Sequence, residues 1–360
     1  GDAMDRTLDR KVLADDNFAL RDTAIAGSVD KLGVPELGRR FITVPKGSVL
    51  LAHYDIVHRG SRALQGHPDR FMYKFYFART REPVGPSWNN RRETPELSCV
   101  RPELRPVVQH IWSWCRGEVP EPESGTIRCP ADADEATRIA WAYRAGEAAR
   151  SGDATALAAL LDWLDDDAEA LRRTAGYGLR NAGAAALPGV MDAAQSPRAG
   201  TRRYAAFALG NASNAMSPEA AQTLVDILDS DPDDLARSNA AYALGHLARA
   251  AGPAAGTIAD ALLAHVLPGM EPVNTTAGGM ARSTVRESAA YGLLQGAVNG
   301  TLSSRHIDRI LDEVVFRDED RYVQGLLTEA LLRVDLDAAQ MNRLGRQLAS
   351  RRHFTEPDAA

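Results

Sequence analysis

The chain has little of what a disulfide-stapled or membrane-embedded protein needs. It contains only three cysteines in 360 residues, Cys99, Cys115 and Cys129, and so sparse and odd a set argues against a disulfide framework and for a reducing compartment. The cysteines form no C-x-x-C pair, so a zinc site shared with His110 is not favoured. No apolar run approaches the ~20 residues that cross a bilayer, and no signal-peptide pattern opens the chain. We expect a cytoplasmic protein with no membrane partner.

Positive charge is scarce in the second part of the chain. The net charge is −6, but residues 1–130 hold 20 Lys and Arg against 17 Asp and Glu, whereas residues 131–360 hold 22 against 31. The first part is therefore +3 and the second −9. Because an acidic surface repels a phosphate backbone, we do not expect a nucleic acid partner.

The composition changes near residue 130. Before it, three apolar runs have the alternation or the β-branched and aromatic content of strands: 40–44, 48–52 and 71–77. The stretch 83–130 is rich in Pro, Trp and charge, and it contains one helical pattern at about 103–115. We interpret this stretch as a connector. After it the chain becomes rich in Ala and Leu with helical periodicity.

An eight-residue pattern then recurs four times: Arg, Ala three positions later, an aromatic residue at five and Leu at seven. The copies start at Arg172, Arg202, Arg237 and Arg286, and a degraded copy spans 321–331. Offsets of zero, three and seven lie on one helical face, and the small residues beside them allow a second helix to approach closely.

Each copy is paired with a second helical pattern. Amphipathic stretches precede the copies at 156–164, 220–228, 258–267 and 307–316, a weaker one lies at 184–194, and a polar terminal helix is predicted at 336–350. Breakers such as Pro197, Pro218 and Pro232 separate the pairs, and one longer interval holds the Pro/Gly-rich insertion 268–279. The repeat is ~30–35 residues long.

Stacked helix pairs of this length resemble HEAT repeats, in particular the short HEAT-like type associated with phycobilisome lyases. The resemblance spans about residues 150–335. It implies an α-solenoid that binds a protein partner on its concave face. Outside the repeats, no residue pattern favours bilin chemistry, so a lyase function has only the family name behind it.

The recurring arginines need an explanation, because each lies in the first turn of its helix, where the helix dipole disfavours a cation. Asp166, Asp167, Asp233 and Asp234 precede two of the copies, but no local acid precedes Arg202 or Arg286. We therefore expect a ladder of ion pairs between repeats. The alternative is that the arginines bind a ligand.

Residues 45–61, from the Pro45 turn through an apolar strand to His58 and Gly60, resemble the second half of a phytanoyl-CoA dioxygenase-type domain. That family holds Fe(II) with two His and one carboxylate inside a jelly roll, and it binds 2-oxoglutarate through an Arg. The resemblance covers about residues 41–80. It implies that His58 is the distal iron ligand and that Arg70, at the head of the strand 71–77, anchors 2-oxoglutarate.

The sequence departs from that family upstream. No histidine precedes His53, whereas the family has its H-x-D or H-x-E pair far before the distal His. The one H-x-D, His53 with Asp55, lies on the same strand as His58. The alternative is that His53 and Asp55 are themselves the family's upstream pair, in which case His67 or His110 would be the distal ligand. We expect instead that the chain starts inside the jelly roll and lacks catalytic activity by itself.

The sequence thus predicts a mainly α protein, a HEAT solenoid preceded by a partial β jelly roll. The predicted domains are a dioxygenase-like portion at 1–82, the connector at 83–130, the solenoid at 131–352 and a tail at 353–360. Two functions follow: a protein-binding scaffold attached to an inactive oxygenase portion, or an Fe(II)/2-oxoglutarate-dependent hydroxylase in a longer parent chain whose solenoid recruits its substrate or partner.

Overall fold

The structure is a computed structural model in which a defined part of the chain is described. The described residues are 44, 45, 47–50, 83–86, 94–98, 100, 105–118, 129–130 and 132–350, the last range with gaps at 213–216, 250–251, 253, 268, 270, 272–273, 277–279, 283 and 315–319. The chain divides into two compact units, residues 3–79 and residues 80–360 with 1–2. The jelly roll predicted for 1–82 lies outside the described residues, apart from a few positions, and stays a prediction.

The described part is mainly helical, as predicted. Helix α1 (Arg105–Cys115) matches the helix expected in the connector. Twelve further helices follow: α2 (Glu135–Arg150), α3 (Ala154–Leu164), α4 (Glu169–Ala182), α5 (Leu187–Ala193), α6 (Ala199–Asn211), α7 (Pro218–Ser230), α8 (Asp234–Leu247), α9 (Ala255–Val266), α10 (Thr284–Val298), α11 (Ser304–Arg309), α12 (Arg321–Leu331) and α13 (Ala338–Ser350).

The helices form two layers. Helices α2, α4, α6, α8, α10 and α12 pack against one another in chain order, and we call them the close-packed layer. Helices α3, α5, α7, α9, α11 and α13 form the second layer, in which neighbours contact one another much less. The recurring pattern forms the close-packed layer, and the amphipathic stretches form the second.

Short polar side chains begin several of these helices. Asp153 accepts hydrogen bonds from the first backbone amides of α3, Asp233 does the same for α8, and Asp320 for α12. Ser217 caps α7, where Pro218 occupies the first helical position. Such residues satisfy amides that have no partner within the helix, so the breakers between repeats also fix where each helix starts.

The core lies between the two layers. The recurring leucines Leu179, Leu209, Leu244 and Leu293 are fully buried, as are the alanines four positions before them. Small residues set the spacing of the close-packed layer: a Cβ on Gly245 would lie 2.6 Å from the Cα of Gly292 in the next helix. This confirms that the small residues of the pattern permit close helix contact.

Two features differ from the predicted pattern. The weak helix expected at 184–194 is a 3₁₀ turn, Gly183–Ala186, followed by the short α5. The insertion after α9 contains an antiparallel hairpin, β1 (Asn274–Thr276) and β2 (Met280–Arg282), in which Thr275 pairs with Ala281. Strands of three residues are too short to give a sequence period, which is why the hairpin was not predicted.

Candidate functional site: an aromatic strip on the close-packed layer

The residues singled out for iron chemistry cannot be placed. His58, Arg70, His53, Asp55 and His67 all lie outside the described residues, so their roles stay predictions. His110 is described: its ring lies 4.7 Å from that of Tyr143, and its Nδ1 lies 3.4 Å from Glu147 Oε1. It packs α1 against α2. Within the described part of the chain, no three His, Cys, Asp or Glu side chains are grouped to hold a metal ion.

Two of the recurring arginines form the predicted ladder between repeats. Arg202 of α6 donates two hydrogen bonds to Asp231 in the next repeat, at 2.6 and 2.9 Å, and Arg237 of α8 binds Glu271 beyond α9. The neighbouring Arg203 binds both oxygens of Asp233, at 2.7 and 2.5 Å. This bond from Arg203 keeps the pKa of Asp233 below its usual value, despite partial burial.

The other two recurring arginines bind backbone oxygens instead. Arg172 donates to the carbonyls of Asp166 and Asp167, and the buried Arg286 donates to the carbonyl of Val266 at 2.8 Å. The carbonyls at the end of the preceding segment attract a cation, so these bonds offset the unfavourable position of each arginine in the first turn of its helix. Arg202 and Arg237 therefore connect neighbouring repeats, whereas Arg172 and Arg286 bind carbonyls within their own repeats.

The aromatic residue of the pattern has a different position. Five residues turn a helix by about 500°, which is one full turn and about 140° more. The residue at offset five therefore lies well away from the face that carries the Arg, Ala and Leu of the pattern. The structure adds an earlier copy, since Tyr143 stands five residues after Arg138 in α2. Five consecutive helices of the close-packed layer thus each carry an exposed or half-buried aromatic side chain at this offset: Tyr143, Tyr177, Phe207, Tyr242 and Tyr291.

These five side chains form what we call the aromatic strip. The rings of Tyr177 and Phe207 meet edge to face at 5.8 Å, and those of Tyr242 and Tyr291 stack at 5.2 Å with 7° between their planes. Tyr242 is 41% exposed, and the other four are half-buried. Exposed rings arranged in pairs along successive repeats present a wide apolar surface with hydroxyl groups at hand.

A polar group of side chains borders one end of the strip. Tyr242 lies 4.8 Å from the ring of His246 on the next turn of α8. Arg249, just beyond α8, donates a hydrogen bond to Gln295 Oε1 at 3.0 Å. Arg180 lies on α4 and is exposed. We call Arg180, His246 and Arg249 the basic edge.

The environment of His246 opposes protonation. Burial, together with the smaller effect of the charges of Arg249 and Arg180, lowers the pKa of His246 from 6.5 to about 3. His246 is therefore neutral at physiological pH, so the positive charge of the basic edge comes from the two arginines.

The stability contributed by neutral His246 is expected to depend on pH. The unfolded chain takes up this proton near pH 6.5 and the folded chain only near pH 3, so the contribution is complete above pH 6.5 and declines as the pH falls from 6.5 toward 3. Between pH 7 and pH 4.5, the free energy of unfolding of the wild type should fall relative to His246→Gln by about 2 kcal/mol. Urea unfolding of both proteins measures this. A difference that is the same at both pH values contradicts it.

A second polar cluster surrounds His265. His265 of α9 is within 2.7 Å of Glu271 Oε1 through Nδ1 and within 2.8 Å of Asp229 Oδ1 through Nε2. Glu271 also accepts from Arg237, so the cluster ties α7, α8 and α9 to the start of the insertion. Its four polar groups satisfy one another, which indicates a structural role.

The comparison with known protein families agrees with the repeat architecture. Residues 157–245 match the family model described as HEAT repeats, so this part of the chain contains HEAT repeats. No curated relative matches the chain. Three solved structures are similar, each with a TM-score of 0.34. The designed armadillo repeat protein YIII(Dq)4CqI is 18% identical over 57% of this chain and 96% of its own, and the complex of CpcE and CpcF of phycocyanin lyase from Nostoc sp. PCC7120 is 18% identical over 54% of this chain and 99% of its own. The engineered protein OR366 of the Northeast Structural Genomics Consortium is 22% identical over 56% of this chain and 93% of its own.

No helix among those described combines the length and the apolar character needed to cross a membrane.

Proposed function

We propose that this protein is a scaffold that binds a protein partner along the aromatic strip of its helical repeats. The observation that carries the proposal is the register of the strip, one exposed or half-buried ring on each of five successive helices. A side chain that only filled the core would be buried like the recurring leucines. Rings kept at the surface at the same position of five successive repeats are suited to contact another molecule.

The position of the aromatic strip on the close-packed layer also favours this role. Because helices in the close-packed layer approach one another more tightly than those in the second layer, a stack of such pairs bends toward the close-packed layer. We therefore expect the strip to line the concave side, where an extended segment can touch several repeats at once. Tyrosine rings give large contact areas and lose little conformational entropy on binding, which is why they dominate many interfaces.

Removal of two rings is the direct test. Peptides are selected from a random twelve-residue displayed library on the immobilised full chain, and their affinities are measured for the wild type and for Tyr177→Ser/Tyr242→Ser. We expect the double variant to bind about thirtyfold or more weakly, the loss typical of truncating central interface residues. The matched control is Gln222→Ala/Asp226→Ala, which changes two exposed positions of α7 in the second layer and should bind like the wild type. Equal affinities of the wild type and the tyrosine variant contradict the proposal.

For residues 1–82 we propose a second, separate function, a portion of an Fe(II)/2-oxoglutarate-dependent oxygenase. Support for it comes from the sequence pattern of residues 45–61 alone. If the pattern has the family's meaning, His58 holds the iron and Arg70 holds the oxo-acid, while the ferrous iron would supply the oxidative chemistry. Whether the chain is an enzyme depends on this second proposal.

Replacement of His58 tests that second function. In a chain that also carries an upstream H-x-D, His58→Ala should weaken Fe(II) binding at least tenfold, because a ligand contributes no less than the residues that orient it, and should leave helicity unchanged. Anaerobic calorimetry with 2-oxoglutarate measures the affinity. His67→Ala is the matched control, since His67 is the alternative distal ligand. Equal affinity of wild type and His58→Ala removes His58 from the site.

A further inference from the structure

Helix α13 attaches to the rest of the second layer mainly through polar side chains. Gln340 is 3% exposed and donates a hydrogen bond to Asp308 Oδ1 at 3.0 Å. Arg343 donates to both carboxylate oxygens of Asp312, at 3.0 Å each. Of the large apolar side chains of α13, only Leu344 is buried, with 1% exposed. The side of α13 that faces the protein is therefore mostly polar.

The other large apolar side chains of α13 are exposed. Met341 is 52% exposed and Leu348 is 45% exposed. Gly345 lies between them on the same side of the helix, and a Cβ on Gly345 would meet nothing within 4 Å. The second-layer helix α7 has the opposite arrangement, because it buries all of its large aliphatic side chains: Leu224, Val225, Ile227 and Leu228. The apolar side of α13 is thus left uncovered by the residues that the structure describes.

The spacing on this side of α13 is that of a contact between two helices. Four exposed residues occupy offsets of zero, three, seven and ten: Ala338, Met341, Gly345 and Leu348. These offsets are the a and d positions along which helices pack in a coiled coil. A glycine inside a helix is destabilising, and in the close-packed layer Gly245 offsets that cost by close contact with the next helix. We call the four residues the α13 seam.

The α13 seam is complementary to itself when two copies run antiparallel. In one alignment, Ala338 of one copy lies opposite Leu348 of a second copy. Three residues further along, Met341 of the first copy then lies opposite Gly345 of the second. Each large side chain meets a small one, and two-fold symmetry repeats both contacts. In a parallel pair, by contrast, each large side chain would meet its own equivalent and the small residues would leave gaps.

The charges around α13 also favour the antiparallel arrangement. The exposed Asp335 and Asp337 precede the helix, Arg343 and Arg346 lie in its second half, and residues 338–350 contain no carboxylate. In an antiparallel pair, the acidic start of each helix approaches the basic second half of the other, and the two helix dipoles oppose each other. A parallel pair would bring acid to acid and base to base. Both size and charge therefore fit a second copy of this chain.

We propose that α13 is a dimerisation surface, which joins two copies of this chain through an antiparallel, two-fold contact of their α13 seams. The surface lies on the second layer, apart from the aromatic strip, so this inference does not depend on the proposed function. A contact between two helices of 13 residues is small beside the ~1,200 Å² of total buried area that stable complexes exceed. The dimer is therefore weak and forms in a concentration-dependent manner.

Sedimentation equilibrium of the full chain over a range of concentrations tests the surface. Met341→Glu/Leu348→Glu should weaken the dimer about thirtyfold or more, because each change occurs twice in a symmetric contact and places charge against apolar groups. Leu235→Glu is the matched control, since Leu235 is 49% exposed in the close-packed layer; it should dimerise like the wild type. A wild type that is monomeric at every concentration, as when another segment covers α13, overturns the proposal. A dimer that the double variant leaves intact also overturns it.

Disulfide formation between copies tests the direction of the pair. Ala338→Cys and Leu348→Cys are made in a chain whose three native cysteines, Cys99, Cys115 and Cys129, are changed to serine, and both are oxidised with copper phenanthroline. We expect a disulfide-linked dimer when the two variants are mixed and none from either variant by itself. Like positions lie ten residues apart along an antiparallel pair, about 15 Å, which is beyond the reach of a disulfide. A linked dimer from each variant by itself, or none from the mixture, overturns the antiparallel contact.

Discussion

Leu244→Ala is expected to lower the free energy of unfolding by about 3 kcal/mol, within the range of 2–5 found for large-to-small changes in protein cores. Leu244 is fully buried in α8, where it packs in the core between the two layers. Helix α8 contacts α6, α7, α9 and α10, so its neighbours are held from several sides and cannot collapse into the space left by the lost side chain. The cavity therefore stays open, and its cost adds to the lost burial.

The control for this prediction lies in the same helix. Leu235 is 49% exposed in the first turn of α8, and Leu235→Ala should change the free energy of unfolding by less than about 0.5 kcal/mol. Urea unfolding followed by circular dichroism measures both variants. A loss below about half a kcal/mol for Leu244→Ala would mean that the repeat register is wrong.

Glu271→Gln is expected to be comparably damaging, with a loss of about 3 kcal/mol. The carboxylate of Glu271 is 1% exposed and accepts hydrogen bonds from Arg237, at 2.8 Å for Nη1, and lies 2.7 Å from His265 Nδ1. The glutamine keeps the shape but removes the charge, so the guanidinium of Arg237, itself 15% exposed, loses its buried counter-ion. Uncompensated buried charge is what makes such changes costly.

A second acid beside the same arginine provides the control. Asp234 lies 3.5 Å from Arg237, but its side chain is 62% exposed. Solvent screens this pair, so Asp234→Asn should cost less than about 1 kcal/mol. Thermal or urea unfolding distinguishes the two changes. Equal effects of Glu271→Gln and Asp234→Asn would show that the cluster around His265 contributes no more than an exposed ion pair.

The helical repeats were predictable because their information is local. Burial of Leu179, Leu209 and Leu244 and the closeness allowed by Gly245 follow from a period that is written in each copy. The ladder of arginines was also predictable in outline, since a cation in a first helical turn needs an anion or a carbonyl. Whether Arg286 binds an anion or a carbonyl depends on where the preceding helix ends, and the sequence does not give that position.

The site was less predictable than the fold. The aromatic at offset five was visible in the sequence, but its exposure depends on which side of the helix the neighbouring repeats leave open. The copy at Arg138 was missed because Trp141 replaces the alanine of the pattern and Ala145 replaces its leucine. The cluster of Glu271, His265 and Arg237 joins residues 34 positions apart across an insertion, a contact that no short motif encodes.

The central claim is that a partner lies on the aromatic strip, and site-specific photocrosslinking tests it most directly. Benzoylphenylalanine placed at Phe207 in the strip, or at Gln222 in the second layer, is irradiated with a selected peptide bound to the full chain. We predict an efficient crosslink from position 207 and none from position 222. Crosslinking from position 222, with none from position 207, would contradict the claim.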